Sequence, residues 1–142
     1  MSGRRAQALI VAGGHRVEVR DWVRDQRAAI RRAVRGALAR LAVDVVLVTG
    51  GTGLARRDVT PEALEPVYER IAPGFGERFR SLSERQVGSA AWLSRASAGV
   101  AKGRLLVVLP GSVRAVELAL RKLLLPELGH ALRLIGRFGA EE

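Results

Sequence analysis

The chain has no cysteine, a single methionine and only 4% aromatic residues in a length of 142. Without cysteine there is no disulfide framework and no thiolate metal site. With so few aromatics the core must rest on Val, Leu, Ile and Ala. The same scarcity leaves no aromatic side chains interleaved with basic ones to stack bases, and zinc-finger spacing is missing too, so nucleic acid is not an expected partner. No apolar stretch approaches the ~18 uninterrupted residues of a membrane span. Met1-Ser-Gly-Arg-Arg leads into an apolar run that His15 and Arg16 soon cut short, which is not a secretory leader. The expectation is a cytoplasmic protein without a membrane partner. Acidic residues are few: 14 against 24 basic ones, a formal charge of +10. All the basic residues except Lys102 and Lys122 are arginine. That balance favours phosphorylated or otherwise anionic ligands, although arginines spread along the chain mostly read as solvated helix faces.

What is present suffices for one domain, taken as residues 1–142, because 48% of the chain is hydrophobic. Strand-like and helix-like patterns alternate without repeats. Ser2 to Ala12 suits a helix that Gly13-Gly14 can close in left-handed conformation. Arg16 to Val23 alternates with period two, as a half-buried strand does. A helix is expected to begin at Asp25, with Ile30, Val34, Leu38 and Leu41 on one apolar stripe. Val43 to Val48 is a short β-branched run that reads as a buried parallel strand. Pro61 suits the first position of a helix capped by Thr60, and Pro66 suits the start of another short helical segment. Pro73-Gly-Phe-Gly is expected to turn, Glu77 to Ser97 to be mostly helical, and Leu105 to Leu109 to form a second buried strand. A helix from Val113 to Leu124, with Val116, Leu120 and Leu123 on one face, should stop at Pro126. The fold class is α/β: a three-layer α/β/α sandwich on a mostly parallel sheet.

Two places share one design, a buried strand running into a small-residue turn. The first is Thr49-Gly50-Gly51-Thr52-Gly53 after Val43–Val48. The second is Pro110-Gly111-Ser112 after Leu105–Leu109. Ligands of open α/β sheets bind beyond the carboxyl ends of the strands, where both turns would lie. Glycine permits positive φ and close backbone approach, so that consecutive N–H groups can converge on phosphate oxygens. Such short glycine patterns also recur as plain connections. The continuation Arg56-Arg57-Asp58-Val59-Thr60-Pro61 carries more weight. Arg56 and Arg57 could neutralise phosphate, and Asp58 could hold Mg²⁺ or accept a substrate hydrogen bond. Asp58 could also cap the Pro61 helix, a role Thr60 already suits. Asp25 reads equally as an N-cap. His15 and His130 have no metal-ligand spacing and read as turn or surface residues.

The string TGGTGLARRDVTPEAL resembles the signature loop of the MoaB/MogA family of molybdenum-cofactor biosynthesis, and the resemblance continues along nearly the whole chain. Ser2-Gly3, Gly14-His15, Val23-Arg-Asp25, Pro73-Gly-Phe-Gly-Glu, Leu93-Ser-Arg-Ala and Leu109-Pro-Gly-Ser follow in the family's order. Leu125-Pro-Glu-Leu-Gly-His is similar to the ending of the MoaB branch. The resemblance implies transfer of AMP from ATP to the terminal phosphate of molybdopterin, with Mg²⁺ and release of pyrophosphate. It implies Asp25 and Asp58 as the functional aspartates. It further implies Thr49, Gly50, Gly51, Thr52, Gly53, Arg57, Ser94, Arg95, Pro110, Gly111 and Ser112 as residues that bind nucleotide or substrate, and a homo-oligomer, trimer or hexamer. There are two departures. Val113 stands where the family often has proline, which a helical first turn does not require. The family also begins with a central apolar strand and a Ser-Asp loop ahead of the Ser-Gly pair, whereas here Met1 directly precedes Ser2. An N-terminally short domain, an exposed strand edge and an incomplete nucleotide pocket are therefore expected. They leave a second reading open: a catalytically impaired or non-catalytic oligomer that binds molybdopterin.

Overall fold

The β4 strand (Arg104–Leu109) is buried along its whole length, which decides the layering. Its neighbours are β1 (Val45–Thr49) on one side and β3 (Ser97–Ala101) on the other, and β2 (Arg70–Ile71) completes the order β1-β4-β3-β2. Leu105, Val107 and Leu109 project into a core shared with α1 (Ser2–Ala12), α4 (Pro73–Val87), α5 (Val113–Ala119) and α6 (Leu125–Ile135). Leu106 and Val108 project to the other face, against α2 (Arg27–Leu38) and α3 (Thr60–Leu64). A strand covered on both faces must be apolar at every position, and this one is apolar at all but Arg104. The buried Arg104 guanidinium is satisfied by main-chain oxygens of Val43, Lys102 and Arg40. This computed structural model describes residues 1–137, so the expected domain end at 142 lies outside the described residues.

The α/β/α layering is as the sequence pattern implies, and β1 pairs with β4 in parallel, from Val45–Leu105 to Thr49–Leu109. The remaining pairings, β4 with β3 and β3 with β2, are antiparallel. Lys102 and Gly103 both take positive φ in the tight turn between β3 and β4, as two-residue hairpin turns require. Ser97-Ala-Gly-Val-Ala has little β-branched signature, and the helical pattern expected over Glu77 to Ser97 reaches only its first residue. Gly99 lets β2 pair closely beside it: a Cβ there would overlap the Arg70 carbonyl oxygen.

Other local expectations are corrected in the same way. Arg16–Val23 alternates like a strand, yet it joins no ladder and most of its side chains are exposed. Period-two alternation specifies a face, not a partner, and no strand lies alongside. The α2 helix starts at Arg27 with Gln26 as N-cap and ends at Leu38, so Leu41 falls beyond the apolar stripe and is exposed. After α1, the left-handed residue is Gly14 and not Gly13. Pro66 sits in a turn. Pro73 opens α4 instead of a turn, since a first-turn residue has no intrahelical use for the N–H that proline lacks. The α4 helix stops at Val87, followed by a 3₁₀ stretch over Gly88–Leu93. Pro126 does not stop its helix. Helical backbone runs from Val113 to Ile135, with Leu120–Leu124 wound as π-helix just before the proline. The wider turn makes room where the proline ring would crowd a preceding carbonyl. No helix among the described residues is long and apolar enough to cross a membrane.

Tyr68 ties these layers together: its hydroxyl meets Ser97 Oγ at 2.9 Å and donates to the Leu106 carbonyl at 3.3 Å. Burial pushes its phenol up from 10.0 to about 12, opposed by the Ser97 hydrogen bond. The folded phenol thus stays protonated where the unfolded one ionises. Its contribution is complete below pH 10.0 and is lost as pH rises through about 12. Tyr68→Phe should cost about 1 kcal/mol at neutral pH and make stability less sensitive to alkali. Urea unfolding from neutral pH to pH 12 checks this; an unchanged alkaline slope would refute it.

Candidate functional site: a glycine loop between two carboxylates

The site begins where the parallel ladder ends. Thr49 and Leu109 are register partners, and the Gly50 N–H still donates to the Leu109 carbonyl at 2.8 Å. The chain then leaves the sheet through two consecutive left-handed residues, Gly50 at φ +103° and Gly51 at φ +70°. The second loop stacks on the first, for a Cβ on Gly111 would lie 3.4 Å from the Gly50 Cα. The two small-residue turns picked out in the sequence therefore form one surface at the carboxyl ends of β1 and β4. The backbone N–H groups of Gly51, Thr52, Gly53, Gly111 and Ser112 donate to nothing among the described residues. Unspent N–H groups on adjoining glycine turns form an anion cradle.

Both candidate aspartates reach this loop. Asp25 Oδ1 lies 3.6 Å from where a Cβ on Gly51 would sit, and Asp58 Oδ2 lies 2.7 Å from the same position on Gly53. The N-cap reading of Asp25 does not hold, because Gln26 occupies that position and α2 has no side-chain cap. Nor does Asp58 cap a helix: its Oδ2 accepts the Ala55 N–H at 3.0 Å, inside the loop itself. Thr60, expected to cap the Pro61 helix, instead donates its hydroxyl to the Gly50 carbonyl at 2.9 Å, while its N–H donates to the Gly51 carbonyl. The start of α3 is thereby sewn to the glycine pair. Thr60 and Thr52 are both buried.

Arg95 arrives from the far side. Its Nε and Nη2 donate to the Gly53 carbonyl at 3.1 and 2.7 Å, and Nη2 also donates to the Asp58 carbonyl at 2.9 Å. Its Nη1 donates to both carboxylate oxygens of Glu62 at 2.9 and 2.8 Å. All three guanidinium nitrogens are engaged by protein oxygens. Arg95, expected to contact substrate, holds the loop through these bonds. Arg56 and Arg57, at the exposed loop tip, form no ion pair among the described residues and are the free cations here. Ser112 Oγ accepts the Ala115 N–H at 3.1 Å and caps α5, which leaves its backbone N–H to the cradle. Ser94 Oγ is the one buried side-chain polar atom without a hydrogen-bond partner among the described residues. It sits next to Arg95, as an atom awaiting a ligand or water would. His15 and His130 are exposed, and His130 pairs only with Glu127. Glu62 and Thr60 are the site residues that sequence reasoning did not single out for this work. Thr60 was legible only as a helix-start signal, and nothing near Glu62 pointed to Arg95.

No group of three or more His, Cys, Asp or Glu side chains capable of holding a metal occurs among the described residues. That does not conflict with Mg²⁺, which commonly takes one or two carboxylates and completes its shell with substrate phosphates and water. The carboxylates of Asp25 and Asp58 beside the cradle fit that donor set.

Fold and loop together define an α/β protein with a glycine-loop surface at the carboxyl ends of its parallel strands. Residues 2–130 match the family model described as "Probable molybdopterin binding domain". Molybdenum cofactor biosynthesis protein B of Bacillus subtilis is 43% identical over 135 residues, covering 94% of this chain and 79% of that protein. A crystal structure of Molybdenum cofactor biosynthesis protein B superposes with a TM-score of 0.92 at 42% identity, over 96% of this chain and 85% of that one. The MoaB structure from Thermus thermophilus gives 0.85 at 33% identity, over 99% and 87%. The chain belongs to the MoaB/MogA family of molybdenum cofactor biosynthesis proteins.

The loop geometry has a direct consequence for stability. A Cβ on Gly51 would overlap Thr60 Oγ1 at a left-handed φ, whereas nothing lies within 4 Å of one on Gly36. Gly51→Ala should cost about 1–3 kcal/mol, while Gly36→Ala in the α2 interior should gain about 0.5–1 kcal/mol. Denaturant unfolding of both variants measures the difference, and wild-type stability in Gly51→Ala would contradict the Thr60 seam.

Proposed function

We propose that this protein transfers AMP from Mg-ATP to the terminal phosphate of molybdopterin, releasing pyrophosphate. The observation that carries this reading is the unspent N–H cradle of Gly51, Thr52 and Gly53 with Asp25 and Asp58 on either side. Family membership supports the pterin as one substrate, and the loop supports a phosphorylated second one.

In this reading an oxygen of the pterin phosphate forms a bond to the α-phosphorus of ATP. The bond from that phosphorus to the β-phosphate oxygen breaks, and pyrophosphate carries the electron pair away. The nucleophile is already ionised, so no general base is needed, and catalysis comes down to alignment and charge. The loop N–H groups bind and orient phosphate oxygens. Arg56 and Arg57 at the tip offset the charge of the leaving pyrophosphate. Asp25 and Asp58 would hold Mg²⁺ against the phosphates, where a cation supplies charge neutralisation and lowers the cost of bringing two anions together.

Incubation with ATP, Mg²⁺ and molybdopterin should release pyrophosphate in proportion to the pterin consumed. Asp58→Asn should lower turnover about a hundredfold while leaving molybdopterin binding within a few-fold of wild type. Molybdopterin binding by the wild-type protein without pyrophosphate release would remove the catalytic reading in favour of a binding protein.

A further inference from the structure

The segment Leu54–Arg57 is exposed, yet it carries both free cations of the site. Its two ends are Gly53 and Asp58. One nitrogen, Arg95 Nη2, donates to the carbonyl of each, at 2.7 and 2.9 Å. The neck of the loop is thus closed through a single guanidinium group instead of by a backbone ladder. Within the loop, Asp58 N–H donates to the Ala55 carbonyl and Ala55 N–H to Asp58 Oδ2, so fixing the Asp58 main chain also fixes the direction of its carboxylate. Arg95 is itself anchored at both ends. Its own N–H donates to the Thr52 carbonyl at 3.0 Å, and Glu62 on α3 engages Nη1 with both oxygens.

The distribution of charge in this arrangement has a further effect. An arginine lying against Asp58 would ordinarily form an ion pair with that carboxylate and consume it. Here the guanidinium meets Asp58 at its carbonyl, while its Nη1 faces both carboxylate oxygens of Glu62, which supplies the counter-charge. Glu62 therefore keeps Arg95 off the Asp58 carboxylate and leaves that group facing the loop.

We infer that Arg95 and Glu62 form a latch that presets the phosphate loop: Arg95 closes its neck, and Glu62 holds Arg95 so that the Asp58 carboxylate stays available. Arg95 is a positioning residue and makes no contact with ligand. Its effect on turnover rests on the adenylylation reading above, whereas its effect on the loop does not.

Lysine at position 95 keeps the charge and can still meet Glu62, but a single ammonium cannot span both carbonyls with the planar fork. Hydrogen–deuterium exchange resolved to Leu54–Asp58 should therefore speed up about tenfold or more in Arg95→Lys. Arg104→Lys is the control. It removes comparable guanidinium–carbonyl bonds at the opposite end of β4 and should leave loop exchange unchanged. With Mg-ATP as the varied substrate, Arg95→Lys should raise KM about tenfold with a smaller change in kcat. Should Arg95→Lys fail to fold, Glu62→Gln tests the same latch, with faster loop exchange and weaker ATP use expected. Unchanged loop exchange in the latch variants, equal acceleration in Arg104→Lys, or a loosened loop with wild-type KM would each overturn the proposal. A loop that loosens as expected in a protein that never turns over ATP supports the latch and removes the adenylylation reading instead.

Discussion

The parallel ladder between β1 and β4 sets everything that follows. Its register brings Thr49 level with Leu109, so the two strands deliver their chains to the same end of the sheet, Thr49 one residue before Gly50 and Leu109 two residues before Gly111. Because β4 is clamped between two helical layers, neither strand can slide without moving a whole apolar set to the wrong face. The loops therefore inherit a position that the core has already fixed. Gly50 extends the ladder by one hydrogen bond to Leu109 and then departs at φ +103°, a conformation that only glycine adopts cheaply. Close contact between Gly111 and Gly50 follows directly, as two side-chain-free turns meet over adjacent strand ends. The cradle exists because of the register.

The parts of this arrangement that were legible in the sequence share one property: their cause is local. Val43–Val48 and Leu105–Leu109 announce strands by composition, and the turns after them announce themselves by glycine. Asp58 stands out because its neighbours are unusual. What was illegible depends on partners distant in sequence. Arg95 donates to main-chain oxygens of Gly53 and Asp58, and a carbonyl oxygen looks the same at every residue, so no pattern of side chains foretells the contact. The same holds for Arg104, whose acceptors are three carbonyls. Ser97–Ala101 pairs closely with β2 on account of what Gly99 lacks, and Arg16–Val23 failed to become a strand for want of a neighbour. Pro126 misled because the π turn before it depends on how α5 and α6 pack as one element, which a residue-by-residue rule cannot see.

Thr60 illustrates a related point about capping arguments. Read from sequence, its presence as a cap made a capping role for Asp58 redundant and so favoured a functional one. That premise fails, since Thr60 donates to Gly50 and caps nothing. Yet the conclusion that Asp58 does not cap stands on better ground, namely the Ala55 N–H that its carboxylate accepts within the loop. The hydroxyl of Thr60 does something no cap would. It satisfies the carbonyl of a glycine whose left-handed conformation turns that oxygen away from the ladder, and an unmet buried carbonyl there would cost about 1–3 kcal/mol.

Strain and charge in the loop are thus offset by two separate devices on opposite sides. On the strand side, Thr60 binds the Gly50 and Gly51 carbonyls and holds the left-handed pair. On the tip side, Arg95 binds the Gly53 and Asp58 carbonyls and holds the segment bearing Arg56 and Arg57. Both devices act on oxygens, which leaves the nitrogens unspent. A loop that met its carbonyls with its own N–H groups, as a helix does, would have nothing left for an anion. Meeting the carbonyls with donors from α3 and from the segment before β3, side chain and main chain together, is what leaves the N–H groups of Gly51, Thr52 and Gly53 unspent. Thr60 and Arg95, which supply those donors, are brought up against the loop by the same two cores that fix the register of β1 and β4.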